Sequence, residues 1–144
     1  MAKIHSIEAA LEQLDTAIRL FMDEQSYISA ITLSGAAAGI FEGLNQSTFK
    51  GVIKRLEHKF ELSEKNAADH LNQVRNFLKH AHPNAALHTD FDPQLEAALM
   101  IIRAIASYEK TPSSVATVRM NDFSIWQAES GIFKDTTSMT NDLA

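Results

Sequence analysis

The run Arg75-Asn76-Phe77-Leu78-Lys79-His80-Ala81-His82-Pro83 gathers a guanidinium, an amide, an ammonium and two imidazoles into one short stretch of chain. Arginine suits a phosphate, because its planar fork holds two oxygens at once while negative charge builds in a transition state. Histidine suits proton transfer, since its ordinary pKa of about 6.5 lies near neutral pH. Together these types fit general acid–base chemistry at a phosphodiester. On an unbroken helix, about 100° per residue sets Arg75 and His80 roughly 140° apart, so a shared site needs a helix break near His80 or two chains. Arg75 and His82 would nearly align, but Pro83 disfavours helical geometry at His82. His80 is therefore the preferred proton-transfer residue and His82 the alternative. Asn76, one turn before His80, is placed to orient its imidazole, and Lys79, one turn after Arg75, adds affinity for phosphate.

A plainer reading makes Arg75, Lys79 and His80 a basic helix C-terminus that complements the helix dipole. The loop residues His80, His82, His88, Asp90 and Asp92 include metal-binding types, yet their spacing matches no metal signature, so neither a metal nor another cofactor is expected. The chain has no Cys, which excludes disulfides, thiol nucleophiles and Cys-ligated zinc or iron–sulfur sites. It also lacks a glycine-rich phosphate loop, a nucleophile elbow and a paired-carboxylate pattern. The small-xxx-small spacing of Gly35-Ala36-Ala37-Ala38-Gly39 signals close helix packing instead.

The elements that must position the motif read as helices. Ile4, Ile7, Leu11, Leu14, Ile18 and Phe21 recur every three or four residues, which predicts an amphipathic helix with Ser6 as its N-cap. From about Ser26 to Leu44 the chain is rich in Ala, Ser and Gly and nearly uncharged, as a central helix approached from several sides requires. Asn45 marks its end. A third helix after Ser47 carries Phe49, Val52, Ile53, Leu56 and Phe60 on its apolar face. A fourth begins near Ser63 and bears Ala67, Leu71, Val74 and Leu78 before Pro83 closes the run. Asp92 and Pro93 give the fifth a capped start, with Leu95, Ala98, Leu99, Ile102 and Ile105 as its expected core face. Thr111–Pro112 repeats that start more weakly. Val115, Val118, Phe123 and Trp126 then predict one or two short helices over the bundle, and Phe123, Ile125, Trp126, Ile132 and Phe133 read as late cover for the core, with a partner surface as the alternative.

No segment alternates long enough for a strand, and no internal repeat appears. The fold expected is all-α: an up-and-down bundle of about four main helices plus short C-terminal helices, one domain over residues 1–133 and a loose polar tail over 134–144. A chain of 144 residues, 45% hydrophobic and 22% charged, is of ordinary single-domain size and composition. Acidic residues stand where an export signal would have its apolar run, and the uncharged stretch from Gln25 to Phe41 is short for a bilayer and carries Ser and Gly. A cytoplasmic protein without a membrane span is expected.

The net charge of −5 argues against indiscriminate polyanion binding, but its distribution is uneven. Between Lys50 and His82 seven basic residues face four acidic ones, a local net of +3 that leaves −8 elsewhere. Lys50, Lys54, Arg55 and Lys59 make the wet side of the third helix basic and are candidate RNA contacts with Lys79.

An Arg followed by a polar residue, then a His with four to six residues between it and the Arg, inside a small helical bundle, resembles the HEPN superfamily. The specific part is Arg75, Asn76 and His80 or His82, within a span from Ser6 to Lys110. The resemblance implies a homodimer whose two motifs line one cleft. In many members it also implies metal-independent endoribonuclease activity in defence or toxin–antitoxin systems, with an antitoxin or regulatory protein as partner. Such members often carry one or two acids after the small residues of the second helix, and Glu42 is the only candidate here. In this chemistry the ribose 2′-hydroxyl loses a proton and attacks phosphorus, the 5′-oxygen leaves with a proton, and a 2′,3′-cyclic phosphate results. DNA lacks the nucleophile. The competing expectation is a non-catalytic interaction or regulatory module of the same fold.

Overall fold

A computed structural model describes residues 1–44, 64–79 and 90–132. Among the described residues it is all α: α1 (Ser6–Asp23), α2 (Tyr27–Leu44), α3 (Glu64–Lys79), α4 (Pro93–Glu109) and α5 (Val118–Ser130). The expected helix after Ser47, the loop before Asp90 and the tail from Lys134 lie outside the described residues.

The central helix is α2, packed between α1 and α4, with α3 resting on it from a further side. Its small residues make this possible: Ala30, Gly35, Ala37 and Ala38 are buried, and Ser34 satisfies its buried hydroxyl by donating to the Ala30 carbonyl at 2.6 Å. By length and composition α2 is apolar enough to cross a membrane, which is also what a helix packed on several sides requires.

Helix α1 buries Ala10, Leu14, Ala17, Ile18 and Phe21 along one stripe. Its N-cap is His5, not Ser6: the His5 Nδ1 accepts the Ile7 N–H at 3.2 Å, which draws Ser6 into the first turn. Gln25, with φ of 53°, turns the chain, and the Ser26 N–H returns to the Leu20 carbonyl at 2.9 Å, so α2 starts almost at once.

Helix α4 starts as expected, with Asp92 accepting the Leu95 N–H at 3.1 Å and Pro93 in the first turn. Its core face is rotated from the expected one. Ala97, Ala98, Met100, Ile101 and Ala104 are buried, with Leu99 at the margin of the core, whereas Leu95, Ile102 and Ile105 are half-buried on the flanks. Ala97 and Ala104 belong to the buried seam, which lets the backbones approach, so residue size rather than hydrophobicity sets the face.

The last helix starts later than Thr111–Pro112 suggests. Ser113 takes φ of 60° and the chain turns there, with the Ser114 N–H on the Thr111 carbonyl at 3.2 Å. Thr117 then caps α5, accepting from the Met120 N–H at 3.2 Å and donating to Asp15 of α1 at 2.6 Å. Phe123 is buried and Trp126 half-buried against Phe21, their ring centroids 5.6 and 4.7 Å away. Val115 and Val118, expected over the core, are instead 74% and 76% exposed.

Candidate functional site

Helix α3 presents Arg75 to α2. Val74 is buried and Leu78 packs partly against the same core, which anchors this end of α3. Arg75 itself is half-buried, while Asn76 and Lys79 are exposed. The Arg75 side chain lies across the face of α2 that carries the two glycines. A Cβ added at Gly35 would stand 3.2 Å from Arg75 Nε and 3.3 Å from its Cδ, and one added at Gly39 would stand 3.1 Å from Arg75 Nη2. The glycine pair thus gives close packing, as its spacing suggests, but what approaches is an arginine side chain.

The side chain runs along α2 from Gly35 toward Gly39, and the next residue on that stripe, three positions further, is Glu42. Glu42 makes no hydrogen bond to Arg75. Its carboxylate is held at two points by Arg103 of α4, Oε1 by Nε and Oε2 by Nη2, the latter at 2.8 Å. The side chains of this pair are only 4% (Arg103) and 15% (Glu42) exposed, so their attraction is weakly screened by water.

One carboxylate therefore sits among two guanidiniums, and it is committed to one of them. Burial pushes the pKa of Arg75 below its ordinary value, repulsion from Arg103 adds to this, and Glu42 opposes it. Arginine stays protonated regardless, so the shift marks a cation held at a cost that an arriving anion would relieve.

The structure thus brings Arg75 into the field of Glu42 and leaves Asn76 and Lys79 on the wet side of α3. His80, His82, Lys50, Lys54, Arg55 and Lys59 lie outside the described residues. Asp92 serves as the α4 cap, and Asp90 is exposed; no group of three metal-ligating side chains occurs among the described residues.

Sequence reasoning missed Arg103. The signal for it was a lone cation inside the apolar run Leu99-Met100-Ile101-Ile102-Arg103-Ala104-Ile105, matched by a lone acid, Glu42, at the end of the uncharged run of α2. Isolated opposite charges in two apolar helices require each other once the helices pack.

Comparison of the chain with protein-family models, with curated proteins and with solved structures finds no match. What fold and site define together is an all-α bundle in which one arginine is seated on a glycine stripe beside a buried ion pair.

Proposed function

We propose that this bundle is an HEPN-like, metal-independent endoribonuclease that works as a homodimer with its two motifs in one cleft. Its setting would be defence or toxin–antitoxin biology, with an antitoxin or regulatory protein as partner. The observation that supports this reading best is the seat of Arg75: a half-buried guanidinium, aligned by Gly35 and Gly39 and without a hydrogen bond to any described residue. An arginine held in this way can accept a phosphodiester between its N–H groups without first breaking an ion pair.

In the proposed reaction Arg75 holds the non-bridging oxygens of the scissile phosphate. His80 serves proton transfer: the 2′-hydroxyl gives up its proton, its oxygen forms the new bond to phosphorus, and the 5′-oxygen departs protonated. The products are a 2′,3′-cyclic phosphate and a 5′-hydroxyl. His82 is the alternative proton carrier, and Lys79, Lys50, Lys54, Arg55 and Lys59 supply attraction along the RNA backbone. Asn76 orients the imidazole.

The deciding experiment is cleavage of a mixed-sequence single-stranded RNA in EDTA by the wild type, Arg75→Ala and His80→Ala, with a DNA control. Cleavage that leaves cyclic phosphate ends, is lost in both variants and spares DNA supports the nuclease. Arg75-dependent RNA binding without cleavage would assign the chain to the non-catalytic module instead.

A further inference from the structure

On α2, α3 and α4 the guanidiniums of Arg75 and Arg103 lie near the carboxylate of Glu42, and which guanidinium takes that carboxylate decides what the other can do. Glu42 belongs to the stripe on which Arg75 lies, three residues or about 4.5 Å of helix beyond Gly39. The two groups already feel each other, since Glu42 raises the pKa of Arg75 against the lowering by burial and Arg103. In the structure they share no hydrogen bond, and Arg103 grips both carboxylate oxygens.

We infer that Arg103 is a positioning residue: by holding Glu42 at two points it keeps the carboxylate off Arg75 and leaves the Arg75 fork open for an oxyanion. That the oxyanion is an RNA phosphodiester rests on the ribonuclease function already proposed; the partition of Glu42 between the two arginines does not. Three features carry the inference. The Arg103–Glu42 pair is bidentate and nearly dry, so it outcompetes a contact with the wetter Arg75. The glycine stripe fixes the direction of Arg75 along α2, so its guanidinium ends near Glu42 without a hydrogen bond to it. Arg75, Arg103 and Glu42 themselves are two cations to one anion, which favours an oxyanion at Arg75. The lowered pKa of Arg75, caused first by burial and then by Arg103 and opposed by Glu42, agrees with a cation that Glu42 only partly compensates.

The test uses Arg103→Met, which keeps an unbranched apolar stem but removes the grip, alone and with Glu42→Gln. Two readouts are taken on the full chain. The first is the NMR signal of the Arg75 Nε–H group, assigned among the five arginines through Arg75→Lys. The second is fluorescence anisotropy of a 2′-O-methyl oligonucleotide, which cannot be cleaved. Arg103→Met should move the Arg75 signal in the absence of ligand, as Glu42 crosses over, and weaken oligonucleotide binding roughly tenfold. Adding Glu42→Gln should return the signal toward its wild-type position and restore binding, a rescue that loss of packing alone would not give. Should Arg103→Met not fold, Arg103→Lys keeps the charge with a one-point grip and should move both readouts the same way by less. An Arg75 signal unmoved in the folded single variant, or a double variant still displaced, overturns the inference. Wild-type protein that binds no oligonucleotide, with the Arg75 signal still moving in Arg103→Met, defeats the ribonuclease reading and leaves the role of Arg103 standing.

Discussion

The Nη2 of Arg75 lies 3.1 Å from the point where a Cβ on Gly39 would stand, so the guanidinium occupies space that any other residue at position 39 would claim. A glycine inside a helix costs about 0.5–1 kcal/mol relative to alanine. Gly35 and Gly39 both sit within α2 against that preference.

Exchange at these glycines should therefore separate folding from function. Gly39→Ala gains helix propensity, and the atom it crowds is the far end of a flexible side chain, so thermal melts should show stability held or slightly raised. The guanidinium must shift by a few tenths of an ångström, and RNA cleavage should fall at least several-fold, since small misplacements of a catalytic group are expensive. Gly43→Ala, with nothing within 4 Å of its added Cβ, should gain stability and leave cleavage unchanged. Equal activity in Gly39→Ala and Gly43→Ala would mean that the glycine seat does not position Arg75.

Loss of Glu42 should be felt first in stability. Glu42→Ala removes the carboxylate that joins α2 to α4 and leaves Arg103 and Arg75 facing each other without it. Breaking a buried pair in this way costs about 3–5 kcal/mol, and urea melts should lie near that range. The double variant Glu42→Met/Arg103→Met, with the charges replaced by apolar groups, should recover most of the loss. A fall below about 1 kcal/mol in Glu42→Ala, the ordinary value of a surface pair, would show that this one is better hydrated than its burial indicates.

The bundle was legible in the sequence because helical periodicity and capping are local. The apolar rhythm of α1 and the Asp92–Pro93 start of α4 each lie within a few residues. What was not legible depended on partners distant in sequence. Ile102 and Ile105 are more hydrophobic than Ala97 and Ala104, yet the alanines fill the seam, because α2 offers small residues there and close approach favours small on small. Arg75 stood out for its type and spacing and Glu42 through the family resemblance, but Arg103 is separated from Glu42 by 61 residues, and no local pattern links them. The start of α5 was misplaced for the opposite reason. Thr111–Pro112 is a local start signal, though a weaker one than Asp92–Pro93, but Ser113 turns the chain, while the Tyr108 hydroxyl pins Val115 by accepting its N–H and donating to its carbonyl, at 3.1 and 2.9 Å.

That difference between local signal and tertiary use predicts opposite outcomes at two neighbouring hydrophobic positions of α5. Phe123 is fully buried against Phe21 and stacks on Trp126 at 5.5 Å, so Phe123→Ala should cost about 3–5 kcal/mol in denaturant melts. Val118 is 76% exposed, and Val118→Ser should change stability by less than about 0.5 kcal/mol. A large loss at Val118 would mean that the full chain covers this face.

Arg75 itself should prove a residue whose removal stabilises the fold. Its pKa is lowered by burial and by Arg103, which means that its charged form is disfavoured in the folded state relative to the unfolded one. For a base with a depressed pKa, that penalty is present at every pH below the lowered value and disappears only above it. Arginine remains protonated throughout the neutral range, so the penalty is constant from about pH 6 to 9. Arg75→Met keeps an apolar stem over the glycines and removes the charge. Its melting temperature should exceed that of the wild type by the same margin across this range, while RNA cleavage is lost. A melting temperature below the wild type at neutral pH would show instead that Arg75 serves the fold, with its cation compensated by the chain rather than kept for a ligand.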